Sequence, residues 1–190
     1  MASQHGVIIV AANYRLDTLG WLAMQELQEE AADGSYGNYG IKDQQFALAW
    51  TQANIAKFGG DPDRVTVFGE SAGAFSVCQH IVSPASNGLF SHAIMESGDC
   101  DGPWLIVDGV DAKVFGDSFA GFVGCKSEKN GDAAQRLACL RSLPIKDILE
   151  PYTSWLCLFK PEDDPYCNHT KSVTSSAAAS QPAYDSEAAL

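Results

Sequence analysis

The stretch Gly69-Glu70-Ser71-Ala72-Gly73 decides the fold of this chain. It follows the apolar run Arg64-Val65-Thr66-Val67-Phe68 and precedes a segment with helical apolar spacing. A G-x-S-x-G pattern between a strand and a helix is typical of a nucleophile elbow, a sharp turn that exposes a serine hydroxyl. A Cβ at Gly69 or at Gly73 is expected to clash where the strand and the helix nearly touch. The flanks therefore favour this turn over an ordinary Ser-Gly connection, and they make Ser71 the candidate nucleophile.

The segments around the elbow alternate between strand-like and helix-like apolar patterns. Residues 7–12 form a continuous β-branched apolar run, typical of a strand covered on both faces, and residues 65–68 and 90–95 are the next predicted strands. This alternation predicts the α/β class, with parallel sheet strands joined by helical crossovers. The apolar stripes that predict helices are Phe46, Ala49, Trp50 and Ala53; Phe75, Cys78, Ile81 and Val82; and, within residues 110–123, Val114, Phe115, Phe119 and Phe122.

Composition excludes several classes of partner. Apolar residues make up 46% of the 190 residues and charged residues 19%, which is typical of a globular chain. The net charge of −12 argues against nucleic acid and anionic membrane as partners. The longest apolar run, residues 7–12, is far too short to span a bilayer. The cysteines and histidines lack the paired spacing of metal ligands, and no phosphate or dinucleotide glycine pattern occurs, so we expect no metal and no cofactor.

A series of motifs, in register along roughly residues 5–143, closely resembles the type B carboxylesterase family, which also includes cholinesterases and related lipases. The resemblance implies an incomplete α/β-hydrolase fold over residues 1–150, followed by a divergent and poorly ordered tail over residues 151–190. Residues 16–37 are longer and more acidic than the family pattern and are interpreted as an inserted surface helix or loop. The matching motifs are Asn13-Tyr14-Arg15-Leu16, Gly37-Asn38-Tyr39-Gly40, Asp43-Gln44-Gln45, Phe58-Gly59-Gly60-Asp61-Pro62, the elbow with its strand, Gly88-Leu89-Phe90 and Glu96-Ser97-Gly98.

Ester hydrolysis by Ser71 needs a base to take the hydroxyl proton, an acid to orient that base, and donors for the oxyanion. The backbone N–H of Ala72 is one expected donor, because the residue after the nucleophile supplies it in this fold. The other donors come from an upstream glycine-rich loop, and Gly59-Gly60 is interpreted as a turn rather than that loop. In the resembled family the acid and the histidine follow the serine at a distance that would place them beyond Leu190.

The four histidines of the chain are weak candidates for the base. His80 lies on the helix after Ser71, and His92 begins a strand, so both are interpreted as structural. His5 precedes the first strand. His169 lies in a glycosylation sequon outside the region of resemblance. The sequence therefore shows a nucleophile without a visible base.

The resemblance also implies roles for residues around the elbow. Glu70, expected to be partly buried, and Ser97 would support the site through a hydrogen-bonded network. Trp104 would line the acyl pocket, although core packing is an equally good interpretation. Arg15 and Asp43 would form a buried ion pair.

The six cysteines and one sequon indicate the secretory route. The resemblance implies a disulfide between Cys125 and Cys139, and Asn168 begins the sequon Asn-His-Thr. Spacing alone suggests a second bridge between Cys157 and Cys167. Cys78 is interpreted as a buried free thiol, and Cys100 remains unassigned.

The sequence thus predicts a serine hydrolase that cleaves small-molecule or lipid carboxylic esters through an acyl-enzyme on Ser71. Two alternatives stay open. One is a catalytically inactive fragment, because neither the base nor the acid is visible. The other is a binding or adhesion protein of the same fold, although the intact elbow counts against it.

Overall fold

A pair of parallel strands with a helix between them carries the elbow. In the computed structural model, which describes residues 2–101, 109–126 and 133–149, strand β1 (Thr66–Glu70) leads through the elbow into helix α5 (Ala72–Val82). The chain returns through strand β2 (His92–Glu96), which pairs with β1 in parallel, from Thr66 opposite His92 to Glu70 opposite Glu96. The predicted α/β arrangement is therefore present as a two-stranded parallel sheet with a helical crossover.

The remaining elements are helices and 3₁₀ turns that come before and after this centre along the chain. The first unit of the chain ends at Ser118, and the second begins at Phe119. The other α-helices are α1 (Ala2–His5), α2 (Asp17–Trp21), α3 (Gln25–Glu30), α4 (Tyr39–Asn54), α6 (Gly109–Phe122) and α7 (Ala133–Ser142), and the 3₁₀ turns are Ile55–Phe58, Pro62–Arg64 and Pro84–Ser86. The predicted strands at 65–68 and 90–95 and the predicted helix at 110–123 are confirmed, with ends shifted by one or two residues.

The predicted strand over residues 7–12 is wrong, because the structure assigns no strand there. The side chains of Val7, Ile8, Ile9 and Val10 are 43–45% exposed. Within the described residues, no backbone-to-backbone hydrogen bond involves residues 7–12. A strand forms only when a neighbour accepts and donates its ladder hydrogen bonds, and apolar composition cannot replace that neighbour.

The apolar stripe of α4 does not face the core. Phe46 is 74% exposed, and Ala49, Trp50 and Ala53 are exposed with it, whereas Thr51 is buried. In α5, likewise, the buried apolar residues are Ala74, Val77 and Cys78, while Ile81 and Val82 are exposed. The sequence pattern identified both helices correctly. The predicted stripe of α5 is right at Cys78 and wrong at Ile81 and Val82, whereas that of α4 is exposed throughout.

The interpretation of residues 16–37 as a surface helix or loop is correct only in part, because α3 has exposed residues but the segment also contributes to the core. Met24 and Ala23, between α2 and α3, are buried. A Cβ placed on Gly116 of α6 would lie 1.9 Å from the Ala23 carbonyl oxygen, so the two backbones are in close contact. From the same helix, the Lys113 ammonium donates to Gln25 Oε1 at 2.7 Å. The segment therefore packs against α6.

A small core and one disulfide hold the described part of the second unit together. Phe119, Leu137 and Leu140 are buried, and the predicted pairing of Cys125 with Cys139 is present, with Cα atoms 5.7 Å apart. On the chain-entropy model, a loop of this length stabilises the folded state by about 3 kcal/mol.

No helix within the described ranges is long and apolar enough to cross a membrane. The predicted tail, residues 151–190, lies outside the described residues, so the boundary at residue 150 stays a prediction.

Truncating Met24 tests whether the 16–37 segment belongs to the core. Met24→Ala should lower the free energy of unfolding by about 2–5 kcal/mol, because the Met24 side chain is 0% exposed and its loss leaves a cavity. Phe46→Ala is the matched control, and its effect should be within about 0.5 kcal/mol, as for other exposed positions. Urea unfolding followed by circular dichroism measures both, and equal effects would contradict the assignment.

Candidate active site

Ser71 occupies a strained turn between β1 and α5. Its backbone has φ 52° and ψ −116°, a conformation that costs a non-glycine residue about 1–3 kcal/mol. Two backbone hydrogen bonds hold it there: the Ser71 N–H donates to the Glu96 carbonyl at 2.9 Å, and the Phe75 N–H donates to the Ser71 carbonyl at 3.1 Å. The Ser71 side chain makes no capping hydrogen bond to α5, so its hydroxyl is exposed and is not used to hold the helix.

The turn is tight enough to require glycine at one of the two predicted positions. A Cβ on Gly69 would lie 2.3 Å from the carbonyl carbon of Gly73, so β1 and α5 nearly touch there. A Cβ on Gly73 would meet nothing within 4 Å, so the predicted clash at that position is wrong. The difference arises because the Cα–Cβ direction of Gly69 faces the helix, whereas that of Gly73 faces open space.

The carboxyl end of β2 brings a second serine turn beside the first. Ser97 also has a positive φ, 55°, and follows Glu96, whose carbonyl accepts from Ser71. A Cβ on Gly98 would lie 2.6 Å from Ala74 Cβ and 3.2 Å from the Ser71 carbonyl oxygen. The pairing of parallel strands therefore places the turns of Ser71 and Ser97 at the same edge of the sheet.

The Glu70 side chain is exposed, which corrects the expectation that it is partly buried. Glu70 lies opposite Glu96 in the register of β1 and β2. The Glu70 side chain makes no hydrogen bond to any residue within the described ranges. The proposed supporting network therefore stays a prediction for Glu70.

Ala72 begins α5, and its backbone N–H belongs to the first turn of the helix. The first four N–H groups of a helix have no partner within the helix, and they carry its partial positive charge. A negatively charged oxygen next to Ser71 would therefore meet an available donor at Ala72.

None of the described histidines makes a hydrogen bond to Ser71. His92 is the first residue of β2, whereas Ser71 lies beside the last, Glu96. His5 ends α1. His80 is only 2% exposed, on α5, where other partners hold both of its ring nitrogens. Within the described residues, Ser71 Oγ has no hydrogen-bonded base.

A chain of polar side chains fixes α5 against α4. Gln44 on α4 accepts from His80 Nε2 at 2.8 Å and donates to Ser76 Oγ at 3.3 Å. Ser76 Oγ in turn donates to the Ala72 carbonyl at 3.0 Å, in the first turn of α5. We call Ala72, Ser76, Gln44, His80 and Ser86 the polar ladder. It contains contacts between α4 and α5 that the apolar pattern of α4 did not predict.

The ladder fits one tautomer of His80. Because Gln44 Oε1 is an acceptor, His80 Nε2 carries the proton, and Nδ1 then accepts from Ser86 Oγ at 3.1 Å. Ser86 Oγ also accepts from Gln45 Nε2 at 3.2 Å, so a proton on Nδ1 would leave the Ser86 hydroxyl hydrogen without this acceptor. Burial lowers the pKa of His80 from its ordinary 6.5, which favours the same neutral form.

Cys78 is bonded to Cys100, so its interpretation as a free thiol is wrong. The Cα atoms are 5.6 Å apart, within the usual range for a disulfide. Cys78 lies on α5 and Cys100 follows β2, and the packing of α5 on β2 brings them together. Spacing along the sequence carries no sign of this contact, because the two residues are separated by 22 positions.

The predicted ion pair between Arg15 and Asp43 forms, but it is exposed rather than buried. Arg15 donates to both carboxylate oxygens at 2.8 Å, and its backbone N–H donates to Oδ2 at 2.9 Å. The two side chains are 51% and 28% exposed. These hydrogen bonds lower the pKa of the Asp43 carboxyl, but water screens the pair, and its worth is about 0–1 kcal/mol.

Several predicted site residues lie outside the described ranges, so their roles stay predictions: Trp104, Cys157, Cys167, Asn168 and His169. In the described ranges, no three His, Cys, Asp or Glu residues are grouped so that they could hold a metal ion.

Comparisons with known proteins show the family of the chain. A family model described as the carboxylesterase family matches residues 1–187. The chain is 38% identical over 161 residues to cholinesterase 2 of Branchiostoma lanceolatum, covering 84% of this chain and 45% of that protein. It is 39% identical over 150 residues to acetylcholinesterase of Gallus gallus, covering 79% of this chain and 18% of that protein. The chain thus spans less than half the length of both relatives.

Adding a methyl group at the elbow tests the contact of β1 with α5. Gly69→Ala should lower the free energy of unfolding by about 1–3 kcal/mol, because backbone atoms of Gly73 must move. Gly121→Ala is the control, since a Cβ on this helical glycine meets nothing within 4 Å and should be neutral or stabilising. Denaturant unfolding distinguishes the two, and a neutral Gly69→Ala would refute the tight elbow.

The burial of His80 predicts a pH dependence of stability. The pKa of His80 is lower in the folded chain than its ordinary 6.5, so the unfolded chain binds the proton more readily. The stability contributed by neutral His80 is therefore full above pH 6.5 and is lost as the pH falls through that value. His80→Gln should flatten the decline of unfolding free energy between pH 7.5 and 5. His92→Gln is the control, and an unchanged slope in His80→Gln would contradict a buried, neutral His80.

Proposed function

Because the chain belongs to the carboxylesterase family, we propose that Ser71 is the nucleophile of a carboxylic ester hydrolase. The observation that carries the proposal is the backbone of Ser71, which is strained and exposes its hydroxyl at the carboxyl end of a parallel sheet. This position agrees with the nucleophile elbow of an α/β-hydrolase fold. Both relatives are named as cholinesterases, so an ester substrate, either a small molecule or a lipid, is the class that we propose.

The proposed reaction has two steps. A base takes the proton of Ser71 Oγ, and Oγ forms a bond to the ester carbonyl carbon, while the carbonyl electron pair moves to oxygen. The Ala72 N–H donates to that oxyanion. The electron pair on the oxyanion then re-forms the carbonyl double bond, and the C–O bond to the alcohol breaks. The alcohol leaves with the proton that the base had taken. Water repeats the sequence on the acyl-enzyme, releasing the carboxylic acid and restoring Ser71.

Neighbouring groups are proposed to support this chemistry. Ser97 and Glu70 lie beside the nucleophile at the ends of the paired strands. The polar ladder fixes the first turn of α5, which carries the Ala72 donor, through the bond from Ser76 to the Ala72 carbonyl. A donor that is already oriented stabilises the oxyanion at no cost of reorganisation when the reaction occurs.

The proposed compartment is the secretory pathway. The disulfides Cys78–Cys100 and Cys125–Cys139 are bonds that persist in oxidising surroundings. Glycosylation at Asn168 would fit the same route and is part of this proposal.

The alternative of a catalytically inactive chain has one observation in its favour, namely that no described residue acts as a base for Ser71. An external base separates the two possibilities. Imidazole can take the hydroxyl proton in place of a side chain, and it reveals whether the turn itself prepares Ser71 for acyl or phosphonyl transfer.

We expect a fluorophosphonate probe with added imidazole to modify Ser71 at least about tenfold faster than the exposed Ser91, because only Ser71 has an adjacent oxyanion donor. Mass spectrometry of the digested chain maps both adducts. Ser71→Ala should abolish the fast adduct, and Ser91→Ala should leave it unchanged. Equal rates at the two serines would overturn the proposed nucleophile and favour the inactive alternative.

A further inference from the structure

The segment that follows β2, residues 97–101, has little support from its own backbone. Within the described part of the chain, no backbone-to-backbone hydrogen bond involves these residues. They are exposed except at Gly98, which is half-buried. Ser97 nevertheless keeps a positive φ of 55°, a conformation that persists in a non-glycine residue only when its surroundings hold it. Contacts other than a hydrogen-bond ladder must therefore hold this turn.

Two contacts fasten the segment to α5. A Cβ on Gly98 would lie 2.6 Å from Ala74 Cβ, so the Gly98 backbone packs directly on the helix. Cys100 is bonded to Cys78, and their Cα atoms are 5.6 Å apart. Ala74 and Cys78 occupy positions i and i+4 of α5, so they lie on the same face of the helix, and both are buried. The disulfide is the covalent one of these two contacts.

The same segment is linked to Ser71 through one peptide carbonyl. The carbonyl of Glu96, the last residue of β2, accepts from the Ser71 N–H at 2.9 Å, and the Ser97 turn follows it directly. Gly98 lies on the other side of Ser71, where a Cβ would be 3.2 Å from the Ser71 carbonyl oxygen. A movement of this segment away from α5 would therefore turn the Glu96 carbonyl and release the Ser71 N–H. Ser71 would then lose one of the two hydrogen bonds that hold its strained backbone.

We propose that the Cys78–Cys100 disulfide is a positioning bond for Ser71, because it fastens the turn after β2 to α5 and so keeps the Glu96 carbonyl on the Ser71 N–H. This inference rests on the proposed role of Ser71 as nucleophile. The disulfide acts through the backbone of the elbow, whose orientation directs Ser71 Oγ and the Ala72 N–H toward the same reacting group. Groups held in that relation before the substrate arrives react faster than groups that must first be oriented.

The experiment removes one disulfide at a time from the 190-residue chain. Cys78→Ala with Cys100→Ala deletes the proposed positioning bond, and Cys125→Ala with Cys139→Ala deletes the bond in the second unit. The bonded residues are separated by 22 and 14 positions, so the two losses are similar on the chain-entropy model. The variants therefore differ chiefly in where the lost bond lies.

The first readout is the ratio of labelling rates at Ser71 and Ser91. A fluorophosphonate probe with added imidazole labels both serines, and mass spectrometry of the digested chain measures each rate. Ser91 precedes the opposite end of β2, so it reports general loosening of the strand pair. Without Cys78–Cys100 the ratio should fall at least about fivefold, because the oxyanion donor beside Ser71 is no longer held in place. The control variant should keep the ratio of the intact chain.

The second readout does not depend on the reactivity of Ser71. Hydrogen exchange with mass spectrometry should show the Ser71 N–H exchanging at least about tenfold faster without Cys78–Cys100, while the amides of α4 keep their protection. Those α4 amides also report that the variant is folded. If it is not, dithiothreitol reduces the bond in the control variant after folding: the two sulfurs gain two electrons and two protons, and the dithiol closes to a cyclic disulfide. Both readouts are then repeated.

Three results would overturn the inference while leaving Ser71 as the proposed nucleophile. The first is an unchanged labelling ratio or an unchanged Ser71 N–H exchange when Cys78–Cys100 is absent. The second is an equal fall of the ratio in the control variant. The third is loss of α4 protection in both the alanine variant and the reduced chain, which would assign the bond to general stability. If the intact chain labels Ser71 no faster than Ser91, the nucleophile proposal fails instead, and the Ser71 N–H exchange alone decides whether the disulfide holds the turn.

Discussion

The arrangement of the site depends on the contact between the backbones of Gly69 and Gly73. This contact forces β1 to reverse into α5 over a single residue, and that residue, Ser71, takes the strain. Parallel pairing with β2 then stabilises the turn, because the Glu96 carbonyl accepts from Ser71. The exposed hydroxyl and the open first turn of α5 follow from the same geometry.

The second constraint on the site is the set of hydrogen bonds between the side chains of α4 and α5. Helices α4 and α5 meet through glutamine, serine and histidine side chains, whose directional hydrogen bonds fix one relative rotation of the helices more strictly than apolar contacts would. A buried ladder of this kind stabilises only when each member is satisfied. The neutral Nε2 tautomer of His80 meets that condition, since it pairs one donor with Gln44 and one acceptor with Ser86.

Local signals predicted a good part of this structure. The elbow, the two strands beside it and the helices α4, α5 and α6 were all predicted from glycine positions and apolar spacing, because these features depend on neighbours along the chain. The strand predicted over residues 7–12 is absent, since a strand requires a partner that its own sequence does not specify. For the same reason the Cys78–Cys100 bond, the buried Met24 and the polar face of α4 were missed: each depends on contacts between distant segments. The predicted pairing of Cys125 with Cys139 came from family resemblance rather than from spacing.

The Cys78–Cys100 disulfide also sets how the region responds to a protease. It closes a covalent ring that contains the end of α5, all of β2 and the Ser97 turn, while Ser71 and β1 lie outside it. A single cut of the main chain inside this ring leaves both fragments joined through sulfur. Such a nicked molecule keeps its mass, apart from one added water, until the disulfide is reduced. A cut in the segment that carries β2 therefore separates the two fragments only under reducing conditions.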